Sequence, residues 1–193
     1  VTLDTMNFNC SNVGLNTVTL TVVDVNGNSS QATATVTVED NVAPDAVAQP
    51  LTVQLDENGL ASITPEQIDN GSNDACGIAS LALDIDSFGC DDVDNPVTVT
   101  LTVTDNNNNV STATAIVTVF DKVAPVIECP ELQVFLDSTG NATISESDVA
   151  PFISDACGIE SIELGQTDFD CSAIIGENLP ELIISEVING AGV

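Results

Sequence analysis

Apolar and polar residues alternate along much of this chain, as they do in β-strands that bury one face. The clearest run spans residues 97–104, where valine or leucine alternates with threonine at every step. A period of two places the apolar side chains on one face of a strand. Threonine suits the other face, being both β-branched and polar. Asparagines at 106–109 predict a turn, and residues 113–120 predict the returning strand of a hairpin.

Shorter elements precede this hairpin. We predict strands over 51–55, 61–64 and 78–85. Thr64 followed by Pro65 predicts a single helical turn that begins at the proline. The sequence Asn26-Gly27-Asn28 predicts another hairpin turn of the same kind. Many short strands with turns between them predict an all-β fold of β-sandwich type.

The chain repeats itself with a period of about 81 residues, and such self-similarity is the sequence signature of module arrays. The sequence at 40–44 returns at 121–125, and that at 74–78 returns at 155–159. The same spacing separates 55–59 from 136–140, Cys90 from Cys171, and Asp24 from Asp105.

The repeat sets the predicted boundaries of tandem immunoglobulin-like modules. Residues 1–41 are the C-terminal half of one module, 42–121 a complete module, and 122–193 a third that is partial or diverges at 175–193. The chain opens on a strand-like Val1-Thr2-Leu3 without the pattern of a signal peptide. We therefore expect it to be internal to a longer protein.

The charge balance excludes several function classes. Asp and Glu number 30 against a single Lys or Arg, with no His, giving a formal net charge of −29. Nucleic-acid binding needs a basic surface, and anionic lipid heads attract basic segments. The sequence is nevertheless 43% hydrophobic and only 16% charged, unlike a disordered acidic chain. No segment reaches the roughly 20 apolar residues of a membrane span.

Six cysteines in such a chain indicate an oxidising, extracellular setting. We predict disulfides within modules, Cys76–Cys90 and Cys157–Cys171, each closing a short loop that contributes about 3 kcal/mol. Cys10 aligns with Cys90, so its partner is expected before residue 1, and Cys129 is an extra without a predicted partner. The absence of histidine argues against a zinc site and a catalytic cysteine.

Acidic and amide side chains are predicted to meet where one module joins the next. The last strand of a module ends at Asp40 or Asp121, and the following module turns its final hairpin and its 69–74 segment toward the same end. The candidate ligands are Asp40, Asn41, Asp69, Asp74, Asp105 and Asn107. Carboxylate and amide oxygens suit Ca²⁺. The alternative is that these residues only form turns, and Lys122 weakens the second junction.

Enzymatic activity is not expected. Paired carboxylates serve glycosidases, but here the acids recur in turns, without the aromatic platforms or arginine clamps of a sugar site. Glycine-rich phosphate loops are also missing from the sequence.

Three stretches, 97–107, 118–121 and 124–130, resemble hyalin-repeat (HYR) and related bacterial immunoglobulin-like modules. The shared features are an acidic hairpin turn, an Asp-x-x-x-Pro junction and Cys129-Pro130. The resemblance implies stalks and adhesins on the surface of Bacteroidetes, exported by type IX secretion. Asp4-Thr5-Met6 and Asp137-Ser138-Thr139 are similar to that phylum's O-glycosylation sequon, which implies glycans at Thr5 and Ser138. Residues 182–192 resemble the opening strand of a lamin-tail module.

Three functions remain open at this point. The first is a structural and adhesive spacer at the cell surface, stiffened by calcium. The second is an extracellular filament subunit completed by strand donation between neighbouring copies. The third is a set of accessory modules in a secreted hydrolase. The expected partners are neighbouring modules, copies of the chain, or a surface ligand that the sequence does not identify.

Overall fold

The chain is all-β, as the sequence predicts. The computed structural model describes residues 1–128 and 132–170 in full and 182–186 as a backbone strand. The first strands are β1 (Thr2–Leu3), β2 (Gly14–Val23), β3 (Ser29–Val38), β4 (Leu51–Gln54), β5 (Leu60–Ser62), β6 (Ile78–Leu83) and β7 (Ser87–Gly89). The remaining strands are β8 (Val97–Asp105), β9 (Val110–Phe120), β10 (Val126–Ile127), β11 (Asn141–Thr143), β12 (Ile153–Ser154), β13 (Ile159–Leu164), β14 (Asp168–Asp170) and β15 (Leu182–Glu186).

Helices are confined to single turns. They are α1 (Pro65–Ile68), α2 (Glu146–Val149) and the 3-10 turns Cys10–Asn12, Cys90–Asp92 and Ala150–Phe152. The predicted start of α1 is confirmed, with Thr64 before it and Pro65 as its first residue. The Thr64 amide donates to Gln67 Oε1 at 2.8 Å, which satisfies a group that the helix leaves unpaired.

The chain forms two compact units. The first contains residues 1–49, 64–85 and 99–115, and the second contains 50–63, 86–98 and 116–193. Each unit therefore contains residues from two of the sequence copies.

In the first unit, β1, β2 and β3 form an antiparallel sheet in that order. The β2–β3 hairpin pairs ten residues on each side, from Gly14 opposite Val38 to Val23 opposite Ser29. Strand β6 pairs antiparallel with β8, with Leu83 opposite Leu101. The predicted hairpins at both asparagine turns are confirmed.

In the second unit, β4 pairs with β9 in parallel and β5 pairs with β7 antiparallel. Three further antiparallel pairs are β10 with β12, β11 with β14, and β13 with β15. The largest sheet of the described chain has the order β4–β9–β8–β6.

Strand pairing recurs at the sequence period. Strand β15 pairs with β13 as β8 pairs with β6, with Leu182 opposite Leu164 where Leu101 lies opposite Leu83. The β11–β14 pairs likewise repeat the β5–β7 pairs one period later. Although 182–186 departs from the Thr-Val pattern, its backbone keeps the register of the repeat.

The same recurrence reaches the first residues of the chain. Leu3 lies opposite Leu20, the counterpart of Leu83 opposite Leu101. The carboxylate of Asp4 accepts the Thr19 amide at 2.8 Å, as that of Asp84 accepts the Thr100 amide. Strand β1 is therefore equivalent to the end of β6.

Small aliphatic residues make up the core. The most deeply buried side chains belong to the alternating positions of β8 and β9, together with Ile68: Val99, Leu101, Val103, Val117 and Val119. The period-two pattern of the sequence thus sets the buried face directly. Phe88, 3% exposed, is the aromatic side chain among the buried hydrophobic residues of the described chain.

We expect Leu101→Ala to cost about 2–5 kcal/mol of unfolding free energy, since the Leu101 side chain is 0% exposed and its removal leaves a cavity. Urea unfolding followed by far-UV circular dichroism measures this. Leu60→Ala is the matched control, because Leu60 is 60% exposed and should change the free energy by about 0.5 kcal/mol or less. Equal losses in the two variants would contradict the burial described.

Candidate functional site

The disulfides connect successive sequence copies. Cys10 is bonded to Cys76, and Cys90 is bonded to Cys157. The predicted pairs Cys76–Cys90 and Cys157–Cys171 are therefore wrong, and so is the expectation that the partner of Cys10 precedes residue 1. Cys129 and Cys171 lie outside the described residues.

Strand pairing explains the error. The short separation between Cys76 and Cys90 suggested a closed loop, but β6 and β7 between them do not form a hairpin. Strand β6 pairs with β8, whereas β7 pairs with β5. Spacing limits only the reach of a chain segment. Which cysteines meet depends on strand partners that lie far apart in sequence.

The observed bonds close long loops, spanning 66 and 67 residues. In the chain-entropy model each contributes about 4 kcal/mol by restricting the unfolded chain. Their Cα–Cα distances of 5.1 and 5.2 Å lie within the normal range.

Gly59 makes room for the second disulfide. A Cβ at this position would lie 2.7 Å from Cys90 Sγ and 3.1 Å from the Ala156 Cβ. The Gly59 φ of +72° also favours glycine. Gly59 lies in the repeated 55–59 sequence. Glycine is favoured at this position for two reasons: the positive φ of the turn and the short distance from its backbone to Cys90 Sγ.

An acidic pair lies beside the first disulfide. Asp40 and Asp74 each offer a carboxylate oxygen, and these two oxygens and Cys76 Sγ all lie within 4.8 Å of one another. Asp40 Oδ1 accepts the Val42 amide at 3.1 Å, and Asp74 Oδ1 accepts the Cys76 amide at 2.7 Å. Asp40 Oδ2 is buried and accepts no hydrogen bond from the described residues. Asp40 Oδ2 has thus lost its contact with water and gains no hydrogen bond from the described residues in return.

The same arrangement recurs one period later. Asp121, Asp155 and Cys157 meet within the same 4.8 Å limit. Asp121 Oδ1 accepts the Val123 amide, and Asp155 Oδ1 accepts the Cys157 amide. Asp121 is more deeply buried than Asp40, with 4% of its surface exposed.

The other predicted ligands are used locally. The Asp69 carboxylate accepts the amides of Gly71 and Ser72, and the hydrogen bonds from Ser72 lower its pKa. Asp105 is 1% exposed, and its carboxylate accepts hydrogen bonds from the amides of Asn107 and Asn109. Burial acts to raise the pKa of Asp105, but the hydrogen bonds from its own turn outweigh it and lower that pKa.

The hydrogen bonds described for the predicted amide ligands Asn41 and Asn107 go to residues other than Asp40 and Asp74. The Asn41 side chain is exposed and donates to Glu39 Oε2 at 3.4 Å. Asn107 contributes its backbone amide to Asp105.

Asn109 is the residue that sequence reasoning missed. Its Nδ2 donates to the Asp40 carbonyl at 3.1 Å and to Asp105 Oδ2 at 2.8 Å. It thereby ties the tip of the β8–β9 hairpin to the end of the preceding copy. The repeat could have identified Asn109, because an asparagine occupies the equivalent position 28 in the first hairpin turn. There Asn28 Nδ2 donates to Asp24 Oδ2, as Asn109 Nδ2 donates to Asp105 Oδ2.

The sequence analysis predicts that Lys122 weakens the second junction as a calcium site. The Nζ of Lys122 lies 5.6 Å from the centre of the Phe120 ring, in a cation–π contact. The structure describes no salt bridge from Lys122 to either Asp121 or Asp155.

The donor set of each pair fits part of a hard-cation site. Two carboxylates converge, and Ca²⁺ takes six to eight oxygens, often including carbonyls and water. The cysteine sulfur is committed to a disulfide in both places, so it supplies no thiolate, and soft metals are disfavoured. The chain's own residues would thus hold a cation by Asp40 and Asp74, or by Asp121 and Asp155.

The two predicted glycan positions differ in accessibility. Ser138 is exposed in the turn that follows Asp137, whereas Thr5 is half-buried in the loop after β1. Neither hydroxyl is needed for the turn contacts described around it.

The setting of the chain follows from its disulfides. Such bonds form and persist in oxidising compartments, which favours an extracellular or secreted location. Among the described residues no helix has the length and apolar character needed to cross a membrane.

No family model matches the chain, and no curated protein matches it closely enough to count as a relative.

We expect Gly59→Ala to destabilise the chain by about 1–3 kcal/mol more than Gly71→Ala, because only the first places a methyl group against a disulfide sulfur. Gly71 is a close control, with φ +86° and nothing within 4 Å of an added Cβ. Both variants carry the same backbone penalty. Urea unfolding measures the difference, and mass spectrometry after alkylation shows whether Gly59→Ala frees thiols. Matching free energies would mean that the glycine serves the turn alone.

Proposed function

We propose that this chain is part of an extracellular spacer, built from repeated β-sandwich modules that hold an adhesive or functional region away from a surface. The observation that carries the proposal is the periodic disulfide that joins one sequence copy to the next. Cys10–Cys76 and Cys90–Cys157 occupy equivalent places in successive copies.

Covalent links between copies suit a spacer. Domains joined by a flexible linker move independently by default. Here Cys10 is bonded to Cys76 of the following copy, and the Asn109 side chain holds the carbonyl of Asp40. Both contacts lie within the first compact unit, so they fix the two sequence copies to each other inside that unit.

Calcium binding is the second part of the proposal. Asp40 and Asp74 bring two carboxylates together in a chain of net charge −29, so they repel one another unless a cation lies between them. The buried and unpaired Asp40 Oδ2 favours occupancy, because a desolvated oxygen without a donor is costly. Asp121 and Asp155 supply the equivalent pair.

The covalent part is tested by stretching single molecules of the whole chain with and without dithiothreitol. Intact disulfides shield the residues that they enclose from extension. Reduction of Cys10–Cys76 or of Cys90–Cys157 should each add about 22–24 nm of contour length, for 66 or 67 residues at about 3.3–3.6 Å each. Cys10→Ser should remove the first increment and leave the second. Increments of only about 5 nm would instead match loops of the size between Cys76 and Cys90, and would overturn the link between copies.

The calcium part is tested by thermal unfolding in EDTA and in excess CaCl₂. Ligand at about 100 times its dissociation constant adds about 2.7 kcal/mol to the unfolding free energy, so the melting temperature should rise by several degrees. Asp40→Asn and Asp74→Asn should reduce the rise. The control Glu160→Gln removes one exposed charge from a residue that belongs to neither pair and should keep the rise.

Isothermal titration calorimetry distinguishes a specific site from general screening of charge. Equal responses to Ca²⁺ in Asp40→Asn, Asp74→Asn and Glu160→Gln would remove the calcium site while leaving the covalent spacer intact.

A further inference from the structure

Each described disulfide has one sulfur beside two carboxylates. Cys76 Sγ lies within 4.8 Å of a carboxylate oxygen of Asp40 and of one of Asp74. Cys157 Sγ lies within the same distance of Asp121 and Asp155. The equivalent sulfur therefore has the same acidic neighbours in both bonds.

Backbone amides hold the carboxylates in place at the Cys90–Cys157 bond. Asp155 Oδ1 accepts the Cys157 amide at 2.7 Å, and Asp121 Oδ1 accepts the Val123 amide at 3.0 Å. The Asp121 side chain is also packed in, with only 4% of the residue exposed. The two carboxylates therefore stay close to Cys157 Sγ.

The sequence offers little positive charge to neutralise this pair. Lys122 is the only lysine or arginine of the chain. Its Nζ lies 5.6 Å from the centre of the Phe120 ring, and no salt bridge from it to Asp121 or Asp155 is described. The electrostatic potential at Cys157 Sγ is therefore negative unless a cation binds from solution.

Reduction of a disulfide begins with the attack of an anion. A thiolate forms a new S–S bond to one sulfur, and the old S–S bond breaks with its electron pair leaving on the other sulfur. A second thiolate then attacks the reagent's sulfur in this mixed disulfide, which frees the remaining cysteine and yields the oxidised reagent. Attack on Cys157 brings the anion to the two carboxylates, and attack on Cys90 leaves the negative charge on Cys157 Sγ. Like charges meet in either case.

The other sulfur of the bond lies against backbone. Cys90 Sγ is 3.9 Å from the carbonyl oxygen of Gly59. A Cβ on Gly59 would lie only 2.7 Å from the same sulfur. A reagent that approaches Cys90 from this side meets the turn first, so Gly59 and the acidic pair cover different sulfurs of one bond.

We propose that the acidic pairs protect the disulfides beside them from reduction by small thiolates. The protection acts on the rate of attack, so the bonds persist in surroundings that contain thiols. It needs no bound ligand and is independent of both the spacer role and calcium. Coulomb's law at about 5 Å in an aqueous dielectric gives a slowing of roughly threefold to tenfold for each carboxylate.

The test measures how fast two thiols of different charge reduce Cys90–Cys157 in the full chain. Mercaptoacetate carries a carboxylate beside its thiolate, whereas cysteamine carries an ammonium group. Rates are expressed per thiolate, in EDTA and about 0.1 M NaCl, where charges more than about 10 Å apart are largely screened. Alkylation and mass spectrometry of the peptides report this bond separately from Cys10–Cys76. Cysteamine should react several times faster than mercaptoacetate.

Two variants remove one charge each while keeping an amide oxygen as acceptor. Asp155→Asn and Asp121→Asn should each speed reduction by mercaptoacetate about threefold to tenfold. Cysteamine should gain less, so the ratio of the two rates should fall. The Cys10–Cys76 bond of the same molecules provides an internal reference, and its rates should not change.

The matched control is Glu163→Gln. Glu163 is exposed in β13, four residues and about 13 Å of strand beyond Ile159. This substitution removes the same charge from the chain but should leave the ratio of the two rates at its wild-type value.

The ratio separates electrostatic protection from a loosened fold, which would expose the bond to both thiols alike and leave the ratio unchanged. A wild-type ratio in both Asp121→Asn and Asp155→Asn overturns the proposal, and so does an equal fall in Glu163→Gln. If Asp121→Asn loses its circular dichroism spectrum, Asp74→Asn at the Cys10–Cys76 bond replaces it.

Discussion

The disulfide between consecutive sequence copies is the constraint on which the two described acidic pairs depend. Cys76 follows Asp74 by two residues, and the Cys76 amide is held by the Asp74 carboxylate. The bond that fixes Cys76 to Cys10 therefore also fixes one half of the acidic pair, and Asp40 supplies the other half. The same relation holds for Cys157, Asp155 and Asp121. Covalent cross-linking and electrostatic repulsion thus occur together at each acidic pair, and the first opposes the second.

The aspartates of this chain differ in how their carboxylate oxygens are hydrogen-bonded. Asp24, Asp56, Asp105 and Asp137 all use Oδ1 to accept the amides two and four residues later. Such bonds favour the ionised form, and the pKa of each of these carboxyls is lowered. Asp40 differs, because one of its oxygens is buried without a donor. The turn-former interpretation of the acids therefore describes these four residues, whereas Asp40 keeps a buried oxygen without a hydrogen-bond donor among the described residues.

Local pattern predicted most of the fold, and long-range pairing accounts for what it missed. The alternation in β8 and the Thr64-Pro65 start of α1 depend on neighbouring residues, so periodicity and capping identified them. The partners of Cys76 and Cys90 depend on which strands lie side by side, which spacing does not encode. Asp40 and Asp74 were named among six candidate ligands, and the use of Asp105 within its own hairpin follows the stated alternative that these residues form turns. Asn109 was counted as a turn residue, since nothing local marks its bond to the Asp40 carbonyl.

The offset between cysteines and sequence copies has a consequence for how such a gene can change. Each bond takes one sulfur from the later half of a copy and the other from the early half of the next, as Cys90 and Cys157 do. Deleting or duplicating one whole copy therefore leaves the cysteines of this bonding pattern with equivalent partners to oxidise with. Recombination between copies, at any shared point, changes the number of copies without separating the cysteines of this pattern from their partners. The number of copies can then vary in evolution, while each disulfide and the acidic pair beside it are preserved.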